Sequence, residues 1–238
     1  MLADSTINTV GYYCGRFSPG AFGEPLNSLS NVAFVAGAWF ALIVWRRNAD
    51  RDPWQLVLFA LAAAIGVGSF TFHTWPTPTT LLVDLVPIQI FGIAFVSYAC
   101  VRYLHARVLV MFTFAVCFFF ARQYWIVLTQ RAGLGGGITH VPSLAVLTAV
   151  GVLLHVKRLR IGRYVLLACA AYASALLVRS FDLPFCSRFP IGVHWIWHLL
   201  TALTTSLLLY AVARLPPNPS IEEMASGQGL SAVPHVKP

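Results

Sequence analysis

Seven apolar runs of bilayer-crossing length follow one another along this chain, and the loops between them are short. They read as helices over residues 25–45, 54–73, 81–102, 108 to a point between 122 and 129, 139–156, 164–179 and 192–214. A helix needs about 20 apolar residues to cross the hydrocarbon core, and seven of them use up most of the sequence. Composition agrees: 58% of the 238 residues are hydrophobic and only 10% are charged, where a soluble domain carries about 25%. The expected fold is an all-α integral membrane protein, a seven-transmembrane helix bundle formed by residues 25–214. Residues 1–24 are expected as an extracytoplasmic N-terminal segment, and the Pro-, Ser- and Gly-rich residues 215–238 as a disordered cytoplasmic tail.

Charge placement sets the orientation. The first apolar run has its basic flank, Arg46 and Arg47, behind it rather than in front, unlike a cleavable signal peptide. The loops after the first, third and fifth runs, with the start of the tail, hold Arg46, Arg47, Arg51, Arg102, Arg107, Lys157, Arg158, Arg160, Arg163 and Arg214. The opposite side has Arg16, Arg122, Arg131, Arg179 and Arg188. The positive-inside rule then puts the N-terminus outside and the C-terminus in the cytoplasm. The formal charge of +8 therefore follows topology, and no nucleic-acid partner is expected.

That orientation brings scattered polar residues to one depth. His194 and His198, four apart and so on one helix face, lie in the outer turns of the last helix. His73 ends the second helix on the outer side, with Ser69 on the same face, and Asp84 lies in the first outer turn of the third. Glu24, Asn27 and Asn31 share a face at the outer start of the first helix. Three neutral imidazoles around a tetrahedral ion, with one position open to water, is the pattern of catalytic zinc. Asp84 could orient a ligand or act as a base. The alternative is a buried polar network that only locks helices together. His105 and His155 near cytoplasmic helix ends, His140 on an outer loop and His235 in the tail read as solvated or interfacial. Cys100, Cys117 and Cys169 read as small hydrophobes. Cys14 and Cys186 lie on outer segments, where a disulfide and two free thiols are both open readings.

The ordered set of motifs resembles the alkaline ceramidases, and more widely the seven-helix membrane hydrolases that include the adiponectin and progestin receptors. The matching pieces are Glu24-Pro25-Leu26-Asn27-Ser28-Leu29-Ser30-Asn31, Gly68-Ser69-Phe70-Thr71-Phe72-His73, Leu82-Val83-Asp84-Leu85-Val86-Pro87 and His194-Trp195-Ile196-Trp197-His198-Leu199-Leu200-Thr201. They occur in the family's order, and the resemblance covers residues 14–210. It implies zinc held by His73, His194 and His198, catalytic roles for Ser69 and Asp84, and a Cys14–Cys186 bridge. It also implies a calcium site built with the helix 1 glutamate. Here the stretch Cys14-Gly15-Arg16-Phe17-Ser18-Pro19-Gly20 lacks the acidic cluster such a site needs, and Arg16 would repel the ion, which argues against calcium. Glu24, with Asn27 and Asn31, is expected to brace the N-terminal segment instead.

The expected activity is hydrolysis of ceramide, or a similar N-acyl lipid drawn from the membrane, to a sphingoid base and a fatty acid. Zinc would lower the pKa of its water to about 7, Asp84 would shuttle the proton, and Ser69 would stabilise the oxyanion. A lipid esterase of the same superfamily, remodelling a phospholipid or glycolipid, is the alternative within this chemistry. A receptor with a structural zinc is the alternative outside it. The Arg-rich, Lys-poor composition favours a bacterial inner membrane with the site near the periplasm; in a eukaryote the membrane would be that of the ER or Golgi.

Overall fold

The computed structural model describes residues 13–17, 21–48, 50–215 and 217. Most of the expected tail, 215–238, and most of the N-terminal segment before Glu24 lie outside the described residues.

Among the described residues, seven helical stretches are long and apolar enough to cross a membrane, and no strand is present. The elements are α1 (Pro25–Ser30), α2 (Val32–Arg47), α3 (Gln55–Thr74), α4 (Pro78–Leu104), α5 (Val108–Arg131), a 3₁₀ turn (Gly136–His140), α6 (Val141–Val156), α7 (Ile161–Phe185) and α8 (His194–Arg214). The first span is α1 and α2 together, with Asn31 between them still in helical conformation. The chain is an integral, multi-pass membrane protein. Large apolar side chains such as Trp39, Leu82, Leu109, Phe112 and Leu177 are exposed; only lipid makes that tolerable over such an area.

α8 is the central helix, packed on α7, α2 and α3, while α5 lies at the periphery against α4. The main core is made of residues such as Phe34, Ala41, Leu58, Ala62, Phe95, Val165 and Leu209. Small residues let the helices close in. Gly68 on α3 is the case that matters for function, because a Cβ there would run into the Val83 carbonyl of α4.

The two ends of the bundle differ. At one end Asp52 accepts from Tyr98 at 3.0 Å and pairs with Arg102 at 2.9 Å, and Gln55 donates to Tyr98 and to the Val212 carbonyl. The basic loops lie at this end. At the other end Glu24, His73 and His198 come together. Consecutive spans therefore run antiparallel, and all the polar motifs singled out above reach the same end.

Several helix limits differ from expectation, each for a local reason. α4 begins at Pro78 rather than 81, because Thr77 and Thr80 form a reciprocal capping box with Pro78 in the first turn. Asp84 therefore lies in the second turn. α7 continues past Arg179 to Phe185, carrying Asp182 and Pro184 inside the helix. α5 runs through Arg122 to Arg131. Residues 136–140 form a 3₁₀ turn before α6 rather than its first helical turn.

Candidate metal centre and cavity

His73 is the penultimate residue of α3 and is 1% exposed. His194 and His198 open α8 one turn apart on a single face. Ring centroids are 5.1 Å apart for His73 and His194, 4.8 Å for His73 and His198, and 4.4 Å for His194 and His198. One ring nitrogen from each lies within 4.8 Å of the others.

Neighbouring residues fix which nitrogens are free. His73 Nδ1 lies 2.6 Å from the Glu24 carboxylate, and its Nε2 is buried with no partner. Ser30 donates its one hydroxyl proton to the Asn27 carbonyl at 3.0 Å, so at 2.8 Å it accepts from His198 Nδ1. Both imidazoles are thereby held in the tautomer with an Nε2 lone pair. His194 has a buried, unpartnered Nδ1 and stacks on Tyr13 at 4.2 Å. A carboxylate or hydroxyl behind each ligating ring is what metal sites use to orient imidazoles. Neutral nitrogen donors, buried and otherwise unsatisfied, fit zinc. The three histidines form a zinc-binding site.

The position of the ligands rests on residues that themselves need partners. Glu24 also accepts from Arg16 at 2.8 Å and from Asn27 at 2.9 Å. Burial alone would raise its carboxyl pKa; the hydrogen bonds and charges of His73, Asn27 and Arg16 outweigh burial and hold it below the ordinary value. Asn31 is tied to the Asn27 carbonyl at 2.7 Å, and Asn27 donates to the Cys14 carbonyl at 3.3 Å. The cluster joins α1 to the N-terminal segment. The Cys14–Cys186 disulfide is formed, linking that segment to the end of α7.

Ser69 and Asp84 are brought together by the close α3–α4 contact at Gly68, where a Cβ would meet Val83 and the backbone of Asp84. Asp84 Oδ1 is buried without a partner. Both residues line one cavity of about 170 Å³ together with His194, His198 and Tyr13. That is ample for water, since a single molecule needs roughly 10–15 Å³ by such a measure. The remaining walls are largely apolar, with Ile88, Phe91, Phe118 and Leu208 among them.

Five contributors were given no part in the site by the sequence reading. Ser30 stood inside the first matching motif, three residues after Asn27, but was assigned no role. Asp182 carried no signal. It accepts the backbone N–H groups of Val193 at 2.9 Å and His194 at 3.0 Å, so it caps α8 from a different helix. Tyr13 packs against the His73 and His194 rings, and the Arg179 guanidinium lies over its ring, 4.5 Å from the ring centre. Burial raises the Tyr13 hydroxyl pKa, the Arg179 charge opposing it only in part. His140, expected on a solvated outer loop, instead ends the 3₁₀ turn, lines the cavity and packs on Trp197 at 5.0 Å.

No curated protein matches the chain. A family model described as Ceramidase does match it, over residues 19–224, nearly its whole length. The buried histidine triad gives that match its chemistry, a zinc-dependent hydrolase acting on an amide bond within the membrane. The chain belongs to the ceramidase family.

Proposed function

We propose that the amide this zinc-dependent amidase cleaves is that of ceramide or a closely similar N-acyl lipid, with Ser69 and Asp84 as its catalytic residues. The observation that carries this reading is the cavity, in which Ser69, Asp84, His194 and His198 share one chamber whose other walls are mainly apolar. Such a chamber takes acyl chains and places their polar junction against the reactive groups. His73, His194 and His198 would hold zinc, which supplies Lewis acidity and lowers the pKa of a coordinated water to about 7. The Asp84 carboxylate takes a proton from the attacking water and returns it to the amine as the carbon–nitrogen bond breaks. The Ser69 hydroxyl, beside Asp84, donates to the oxygen that gains charge. Glu24 and Ser30 keep His73 and His198 in their ligating tautomer. The products are an amine, a sphingoid base when ceramide is the substrate, and a fatty acid.

The orientation that fits is N-terminus outside and C-terminus cytoplasmic, since the basic loops lie at the end opposite the site. A bacterial inner membrane with the site on the periplasmic side is the matching location. The test is purified protein with a defined ceramide in mixed micelles. Fatty acid should be released, and Asp84→Asn should abolish release while zinc content stays unchanged. Hydrolysis of a phospholipid ester but not of ceramide would select the esterase reading; undiminished ceramide turnover by Asp84→Asn would remove Asp84 from the mechanism.

A further inference from the structure

The basic end of the bundle, opposite the metal, holds a recess of its own. The turn from α6 into α7 folds back so tightly that a Cβ on Gly162 would run into the backbone of His155. That turn gathers Arg158, Arg160 and Arg163, with His155, around one recess of about 420 Å³. All four side chains are exposed, and among the described residues no carboxylate pairs with the three arginines. The surrounding sequence supplies none either, since residues 85–181 contain neither Asp nor Glu.

Helix polarity makes this charge set costly. A helix N-terminus carries roughly half a positive charge and favours acidic residues. α7 has no acidic residue in its first turn and no side-chain cap; Arg160 occupies its cap position and Arg163 lies in its first turn. Other cations of this end are relieved. Arg46 and Arg47 lie in the last turn of α2, the helix end that favours positive charge, and Arg102 pairs with Asp52 at 2.9 Å. The positive-inside bias puts cations at this end of the bundle but does not gather three of them around one helix start. An anion among the arginines would remove the repulsion, and guanidinium forks match phosphate oxygens.

The remaining lining indicates what carries the anion. Val156, which is 70% exposed, and Leu159 give the recess an apolar side. Val152, one turn earlier on the same face of α6, is exposed as well. A free anion has no use for such a wall, whereas a lipid places its headgroup on the cations and its chains on the valines. We propose that the α6–α7 recess binds the phosphate headgroup of an anionic phospholipid at the membrane surface, its acyl chains lying along α6. Basic pockets between spanning helices suit such headgroups.

The test titrates the full-length protein in neutral detergent with phosphatidylglycerol labelled on an acyl chain, and with phosphatidylcholine carrying the same label. Wild type should bind phosphatidylglycerol the more tightly. A basic side chain at an anionic surface contributes about fivefold in affinity. Arg160→Gln should therefore weaken phosphatidylglycerol binding about fivefold, and the triple variant Arg158→Gln, Arg160→Gln, Arg163→Gln on the order of 100-fold, with phosphatidylcholine binding unchanged. A second triple variant, Arg46→Gln, Arg47→Gln, Arg107→Gln, removes the same charge from the other loops of that end and should keep the wild-type affinity within a few-fold. In phosphatidylcholine vesicles the recess variant should melt no lower than wild type, because repulsion at the start of α7 is gone. Phosphatidylglycerol in the vesicles should raise the Tm of wild type and not that of the recess variant. Equal losses in the two triple variants would reduce the effect to general attraction and overturn the proposal. Equal binding of the two lipids by wild type would do the same, as would a recess variant that keeps the preference or that melts lower in phosphatidylcholine. Inorganic phosphate that displaces the labelled lipid and raises the Tm of wild type as much would mark a site for a soluble anion instead, and would overturn the lipid assignment. None of these readouts uses turnover, so the outcome is separate from that of the amidase reading.

Discussion

Glu24 shows how one residue sets the properties of a ligand it does not replace. Its carboxylate holds His73 Nδ1 at 2.6 Å, and the same carboxylate is held by Arg16 and Asn27. Losing such an orienting partner typically costs 10–100-fold in metal affinity. Glu24→Gln should therefore weaken zinc binding by about that factor, measured by competition with a chromophoric chelator. Ser30→Ala should weaken it less, because a neutral hydroxyl raises the basicity of His198 less than a carboxylate raises that of His73. Equal zinc affinity in Glu24→Gln and wild type would show that the contact only braces the N-terminal segment. The histidines themselves were legible because they stood at i, i+4 and at helix ends of common depth. Ser30 was visible among the polar residues that open the first span but its role was not, since serine is tolerated anywhere in a membrane helix and its partners, His198 Nδ1 and the Asn27 carbonyl, meet only in the folded state.

Helices carry these residues into register, and their contacts are where small changes should be felt. Gly68→Ala places a methyl group against the Val83 carbonyl one residue from Ser69 and from Asp84. Overpacking of this kind costs about 1–3 kcal/mol, and a displacement of about 1 Å at reacting groups costs on the order of 100-fold in rate. The expected result is an activity loss near that size with zinc content retained, read by hydrolysis and metal analysis on the same preparation. Asp182→Ala removes the acceptor of the Val193 and His194 N–H groups. By analogy with lost N-caps it should cost about 1 kcal/mol, seen as a lower melting temperature, and should loosen zinc because His194 starts the helix. At this scale the sequence was informative about helix number and poor about helix ends. Hydropathy counts apolar residues, so it stopped the sixth span at Arg179. It could not see that Arg179 and Asp182 sit 4.0 Å apart on the same helix, which lets α7 continue beyond the charge. His140 was likewise read as solvated or interfacial on an outer loop, because Gly133, Gly135, Gly136 and Gly137 stand just before it. Gly137 in fact packs against the Leu176 carbonyl of α7 and brings His140 into the cavity.

The whole molecule is polarised, with a metal end closed by the N-terminal segment and a basic end closed by the Asp52–Arg102 cluster. The Cys14–Cys186 bridge spans 172 residues of sequence. In water a loop of that length would imply a stabilisation of several kcal/mol through the unfolded chain. Spanning helices remain helical and inserted when a bundle loosens, so the chain closed by this bridge never explores the coil that the argument assumes. Its effect should therefore be local. Cys14 lies where the N-terminal segment meets the site: its carbonyl accepts from Asn27, its N–H donates to Asp182 at 3.3 Å, and Gly192, at φ 71°, packs on its side chain. The doubly substituted Cys14→Ser, Cys186→Ser protein should thus melt within a few degrees of wild type but release zinc to excess chelator roughly tenfold faster, a change of about 1.4 kcal/mol in the barrier. Stopped-flow release and a thermal melt on the same sample separate the two effects. A large fall in melting temperature with unchanged zinc release would mean that the bridge holds the bundle together rather than the cover over its metal.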